Sequence, residues 1–370
     1  MSSQPPAWRT KKAAQIFTLE YGRTLVAGAR RGNVFPVVGS SGIVGHNSTA
    51  LVEGPGIVVG RKGTVGSIIW SSSDFWPIDT TYFVRWLDGQ ATDRRWTYWV
   101  LSTLNLNRLD SSTGVPGLNR NDVYSIELKC PLLPEQRRIA EILDSVDESI
   151  RSTEGLIAKL EAAKKGLVAD LVGDAPVGQR DSLNDHAKLL SGQHISAALV
   201  NDQGFGVPYL TGPADFVGDR AIATRFTEYP KVVCDRGDVL LTVKGSGCGK
   251  IAIAAQRSCI SRQLMALKFD CSSEELVYWC EWLKSKSNEL GSLAASGLIP
   301  GLSRDQILTL PVRRASSGER AGMGAFLHGY GNRIRNERET AHALGAVRQG
   351  LMEDLLTGRV RVKIEEGVVA

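Results

Sequence analysis

Between residues 139 and 171 the apolar positions fall on one narrow stripe. Ile139, Leu143, Val146, Ile150, Ile157, Leu160, Leu167 and Leu171 follow alternating steps of four and three, once the polar Thr153 and Lys164 are counted in. This is the a/d seam of a coiled coil, narrower than the face of an ordinary amphipathic helix. A second stripe of matched length runs through Met323, Leu327, Tyr330, Ile334, Ala341, Leu344, Leu351 and Leu355, interrupted at the same two places by Glu337 and Arg348. A helix over 135–172 extends roughly 57 Å at ~1.5 Å per residue, which suits a spacer better than a small domain. Two separate surface helices are the blander alternative.

The stripes belong to a longer repeat. "GVPGLNRNDVYSIEL" at 114–128 returns as "LIPGLSRDQILTLPV" at 298–312, so that Leu118 and Arg120 correspond to Leu302 and Arg304. The same offset carries Glu135 to Glu319, Leu143 to Leu327 and "GLVADLV" to "GLMEDLL". If each half sits at its own end of the pair, the two helices run antiparallel, in one of two registers. Residue numbers summing to 494 pair Ile139 with Leu355 and Leu167 with Leu327; a sum of 501 sets Lys164 against Glu337 and Thr153 against Arg348. The first keeps more apolar layers, which outweigh exposed ion pairs of roughly 0.2–1 kcal/mol. The second helix carries Gly322, Gly324, Gly329 and Gly331, each costing about 1 kcal/mol relative to Ala. It is therefore expected to be ordered mainly by packing on the first.

Ahead of each helix the period changes. "GPGIVVGRKGTVGSIIW" (54–70) and "RGDVLLTVKGSGCGKIAIAA" (236–255) both read as apolar strand, Gly-rich turn and apolar strand. Lys62-Gly63 aligns with Lys244-Gly245, Gly66 with Gly249 after one insertion, and the following strands through Ile78 and Ile260. The second turn imitates a phosphate-binding loop but fails its chemistry, because Ile251 stands where the Mg²⁺-holding hydroxyl is required and Lys244 where the first Gly is. Hairpin turns account for both stretches. They offer donors to phosphates and base edges: Arg61, Lys62 and Thr64 in one half, Lys244, Ser246 and Lys250 in the other, with Thr80, Thr81, Arg262 and Gln263 just downstream. Each of these could equally be an ordinary solvated side chain. Arg30-Arg31 suits either a phosphate contact or a solubilising pair.

Composition narrows the field. A chain of 370 residues favours two domains, and no stretch reaches the ~18 apolar residues of a membrane span. "MSSQPPAWRTKKAAQ" lacks the apolar core of an export signal, so a cytoplasmic location is expected. The six cysteines form no C-x-x-C pair, which points to buried reduced thiols and no metal site. With 44 basic and 39 acidic residues the net charge of +5 is compatible with a nucleic-acid partner without demanding one. No [DN]-P-P-[YF], G-x-S-x-G or H-E-x-x-H sequence occurs, so no catalysis is expected. Asp235 and Asp238 read as turn caps, not as nuclease carboxylates.

The order globular half, long helix, globular half, long helix resembles the specificity subunit of type I restriction–modification enzymes. "PLLPEQRRIAEILDSVDESI", continuing to "LEAAKKGLVADLVG", is similar to the family's central conserved region, "GLMEDLLTGRVRV" to the end of the second, and "GRKGTVG" followed by "FWPIDTTYFV" to its target-recognition domain. The second helix departs from the pattern, with Gly318-Glu319-Arg320 where another Pro-Glu-Gln is usual. The resemblance implies an α+β fold: target-recognition domains over 1–133 and 174–317, coiled-coil helices over 134–173 and 318–360 related by a pseudo-twofold, and a tail over 361–370. It implies a non-catalytic reader of double-stranded DNA with an asymmetric bipartite target. Two methyltransferase subunits and restriction–translocase subunits would be the partners, carrying S-adenosylmethionine, ATP and Mg²⁺. The specificity partner of a type II enzyme cutting on both sides of its site shares this fold, and a coiled-coil protein-binding scaffold is the alternative of another class.

Overall fold

The computed structural model describes residues 8–87, 91–109, 117–172, 180–245, 247–295 and 301–363, without the side chains of 171 and 172. Contacts divide the chain inside both long helices: one unit is Met1–Thr153 with Thr340–Ala370, the other Glu154–Glu339. The helices are α1 (Arg94–Thr103), α2 (Arg120–Ser125), α3 (Leu133–Val172), α4 (Ser273–Ser285), α5 (Ser287–Ala295), α6 (Arg304–Leu308) and α7 (Ser317–Leu355).

In the first unit, strands Phe17–Tyr21, Thr81–Trp86, Gly56–Gly60 and Ile68–Ser71 form an antiparallel sheet in that order. Along the first of them Phe17 and Leu19 are buried while their neighbours are less so, the period of two that a half-covered sheet imposes. Phe35–Gly39 pairs with Gly42–Asn47 and, in parallel, with Trp76–Pro77. Asp93 caps α1 by accepting from the Trp96 N–H at 2.8 Å, and Trp96 and Trp99 then enter the core beside Ile57, Ile139 and Leu143.

The second unit repeats this plan. Ala187–Ser191, Leu264–Phe269, Val239–Thr242 and Ile251–Ala254 follow the same order, and Val207–Leu210 runs parallel to Ser258–Ile260. Ser272 caps α4, which places Tyr278, Trp279 and Trp282 in the core.

Strand register corrects the expected match of Ile78 with Ile260. Pro77 pairs with Val38 as Ile260 pairs with Leu210, and Thr81 faces Gly60 as Leu264 faces Thr242. A Cβ on Gly22 would meet Ile78 O at 2.1 Å, and one on Gly192 would meet Ser261 O at the same distance. Pro77 is thus the counterpart of Ile260 and Thr80 of Gln263. The residue inserted in the second turn is never cancelled downstream.

On the long helices every described seam residue is buried or half-buried. Within the first unit, Ile139 and Leu143 share a core with Leu355 and Leu356, and Arg348 meets Asp147 at 2.6 Å. Within the second, Leu327 and Ile334 are buried and Arg338 meets Glu161 at 2.5 Å. Lys164 goes to Glu281 at 3.2 Å and Glu337 to Arg333 at 2.7 Å; these are not the partners that a sum of 501 requires. The sequence suggested that α7 is ordered mainly by packing on the first long helix; its Gly-rich start also packs on α4. At Gly324 a Cβ would lie 1.8 Å from Glu274 O, so α4 comes up against the bare backbone there.

Candidate nucleic-acid interface

Each unit assembles the same cluster from three segments: the hairpin turn, the end of the strand after it, and the start of a short helix. Gly63 and Gly245 take φ of +78° and +87°, a region open to glycine and strained for other residues. The Gly66 N–H donates to Gly60 O at 2.8 Å, and the Gly249 N–H to Thr242 O at 2.9 Å. Leu118 N–H reaches Arg61 O and Leu302 N–H reaches Val243 O, both at 2.9 Å. Finally Arg61 N–H donates to Thr80 O at 3.0 Å, as Val243 N–H does to Gln263 O at 2.8 Å. The turns are therefore pinned, and what they present to solvent has a fixed base.

In the first unit that base carries Lys62 and Thr64, both exposed. Arg61 lies with its guanidinium 4.9 Å from the Tyr21 ring centre and 5.8 Å from that of Tyr82, and donates to Asp79 O at 3.1 Å. Arg120 approaches Tyr21 to 5.2 Å, so a half-exposed ring stands against two cations. Burial first, and then the neighbouring Tyr21 hydroxyl, push the Tyr82 phenol up to about 12. It stays protonated and donates to Leu118 O at 3.1 Å, which ties the third segment down. Thr80 is half-buried at the rim. Thr81 does not belong to the surface: it is fully buried and its Oγ1 donates to Ile78 O at 2.7 Å. Its counterpart, Leu264, is equally buried.

In the second unit Lys244, Lys250, Arg262 and Gln263 are exposed; Ser246 lies outside the described residues. Arg262 and Gln263 line a cleft of about 550 Å³ with His194, Asn201, Thr211 and Arg225. Arg304 holds the place of Arg120 and donates from Nη1 to Ser191 Oγ at 2.9 Å. Tyr21, Arg120, Arg225 and Arg304 were not singled out as contacts from sequence. For Arg120 and Arg304 the repeat itself was the signal; Arg225 had none.

The remaining candidates are structural. Arg30 donates to Val44 O and Leu25 O, and Arg31 to Gly28 O, so the pair braces a loop. Asp238 accepts from the Asp235 N–H at 2.8 Å, while Asp235 pairs with Lys268, well removed in role from Lys244. Among the described residues no group of three or more His, Cys, Asp or Glu could hold a metal ion. The cysteines are buried or half-buried free thiols; burial pushes Cys234 up to about 11 and Cys280 up to about 12. What the clusters offer is hydrogen-bond donors and positive charge on a rigid frame, the chemistry of polyanion binding.

Residues 5–162 match the family described as type I restriction modification DNA specificity domain. The putative MjaX specificity subunit of a type I restriction enzyme from Methanocaldococcus jannaschii is 26% identical over 270 residues, covering 66% of this chain and 62% of that protein. The MjaVIII specificity subunit of the same organism is 22% identical over 291 residues, 68% of this chain and 66% of its own length. The chain thus aligns with a little under two thirds of either relative. Among solved structures, the type I restriction–modification S subunit from M. genitalium superposes with a TM-score of 0.68 at 16% identity, over 96% of this chain and 98% of that one. The HsdS subunit from Thermoanaerobacter tengcongensis gives 0.55 at 18%, over 97% and 98%. Residues 5–162 are thus similar to the type I restriction modification DNA specificity domain family, and the chain as a whole carries the fold of the solved S subunits.

Proposed function

We propose that the chain is the DNA-recognition subunit of a type I restriction–modification complex, non-catalytic itself, in which each unit reads one half of a split, asymmetric target. One observation carries this: a pinned basic turn with an arginine beside it occurs in each unit, on the same hydrogen bonds but with different side chains at the rim. A duplicated frame binds the same kind of ligand twice, and unlike rims select unlike sequences. The exposed members, Lys62, Thr64, Lys244, Lys250, Arg262 and Gln263, are the proposed DNA contacts. In this reading 1–133 and 174–317 are the recognition domains, and α3 and α7 form an antiparallel coiled coil that fixes the gap between half-sites. The ion pair of Asp147 with Arg348, and the core that Ile139 shares with Leu355, favour the 494 register. Two methyltransferase subunits and the restriction–translocase subunits would dock on the complex, and S-adenosylmethionine, ATP and Mg²⁺ would belong to them.

Methylation-sensitive sequencing of cells expressing the chain with its methyltransferase, against cells lacking the chain, tests this. The expected result is methylated adenine in a motif of two unequal halves separated by a constant gap, lost on deletion. Methylation unchanged by the deletion would remove the recognition role and leave a coiled-coil scaffold.

A further inference from the structure

The two units share some polar positions and differ at others, and register makes the comparison residue by residue. Gly63 and Gly245 anchor the equivalence of Lys62 with Lys244. Gly60 N–H donates to Ser67 O as Thr242 N–H does to Lys250 O, which equates Ser67 with Lys250. Tyr21 faces Tyr82 as Ser191 faces Met265, so Tyr21 and Ser191 are the same strand end. Arg120 rests on the first and Arg304 on the second. The tether has changed from an aromatic face to a hydroxyl, yet the guanidinium is kept in place. The rim has not been kept: Arg61 is matched by Val243, which is buried in the core, Ser67 by Lys250 and Thr80 by Gln263.

We propose a division of labour that rests on the DNA-reading function: Arg120, Arg304, Lys62 and Lys244 are phosphate anchors common to both halves, whereas Arg61, which has only a buried valine as its counterpart, and the unmatched positions 67/250 and 80/263 choose the bases. Phosphates are the part of a duplex that two different half-sites have in common, so a residue that reads them can be the same in both units. A residue that reads a base edge must differ wherever the bases differ. An arginine held by stacking or by one hydrogen bond loses less side-chain freedom on binding while its fork still matches an anionic oxygen pair.

The test uses the full chain, a random-sequence duplex pool, and the consensus selected from that pool. Arg120→Gln and Arg304→Gln should each weaken binding to the unselected pool and to the consensus alike, by roughly fivefold at about 0.15 M salt. That is the counterion-release contribution of one phosphate, and the slope of log K against log salt should fall by about 0.9. The selected consensus should stay the same, and Arg304→Lys should restore the slope, which a misfolded variant would not do. Gln263→Thr should do the reverse: altered bases in one half only, with pool affinity unchanged. An altered consensus in Arg120→Gln or Arg304→Gln overturns the assignment, and so does an unchanged affinity and slope. Failure of the unmodified chain to bind any duplex would instead sink the DNA-reading function, and the anchors with it.

Discussion

Gln136 and Arg320 occupy the same place at the start of α3 and α7, and the exchange is compensated around them. Gln136 is buried; it donates to Pro131 O at 2.9 Å and accepts from the Asp93 N–H at 2.8 Å. Arg320 likewise donates to the carbonyl of Ala315, five residues back, but has no acceptor to offer α4. There Glu275 takes over, at 2.6 Å from Arg320 Nε, with Ser317 donating to its other oxygen and the guanidinium over Trp279. Both charged side chains are nearly inaccessible, 8% and 4% exposed. Removing one partner of such a pair strands the other, so Arg320→Ala should cost about 3–5 kcal/mol in denaturant unfolding at neutral pH. Burial pushes the Glu275 carboxyl up, but the hydrogen bonds from Ser317 and Arg320 outweigh it and hold the group below its ordinary value. A lowered pKa contributes stability that is present above the unfolded value and lost as pH falls through the folded one. The difference between the unmodified chain and Arg320→Ala should therefore shrink below about pH 4, and a difference independent of pH would contradict the pairing.

Two glycines of α7 that look alike in sequence make opposite predictions as parts of a helix. Gly324 is buried against the backbone of α4, with no flexible group able to move aside, so Gly324→Ala should destabilise by about 1–3 kcal/mol. Around Gly329 a Cβ would meet nothing within 4 Å, and Gly329→Ala should stabilise by about 0.5–1 kcal/mol through helix propensity. Thermal melts of the two variants, scored against the unmodified chain, decide both. The seam of α3 and α7 was legible because burial at steps of three and four leaves a period in one dimension. The role of Gly324 was not, since it depends on where α4 lies. Likewise the match of Ile78 with Ile260 slipped by one because the two are alike in sequence, although Ile260 ends its strand and Ile78 lies one residue past the end of Trp76–Pro77, which only the ladder partners reveal.

At the scale of the whole chain, what matters is that one plan is used twice with different rims. Repetition was visible in "PGLNR" and "PGLSR" and in the two Lys-Gly turns, which is why the paired turns were legible in the sequence. Thr81 was misplaced among the candidates because it opens a strand whose first four residues are all buried, whereas Thr80 lies in the turn before it. If the units read separately, changes at their rims should act separately. Substituting Gln263 and Lys250 in the second unit should alter one half of the methylated motif, while Ser67→Lys in the first should alter the other. The variants lie in different compact units, so their effects on binding free energy should add to within about 0.5 kcal/mol. Methylation mapping of the single variants and of the combination measures this. A change at Gln263 that altered both halves would mean that the units do not read independently, whatever their common frame.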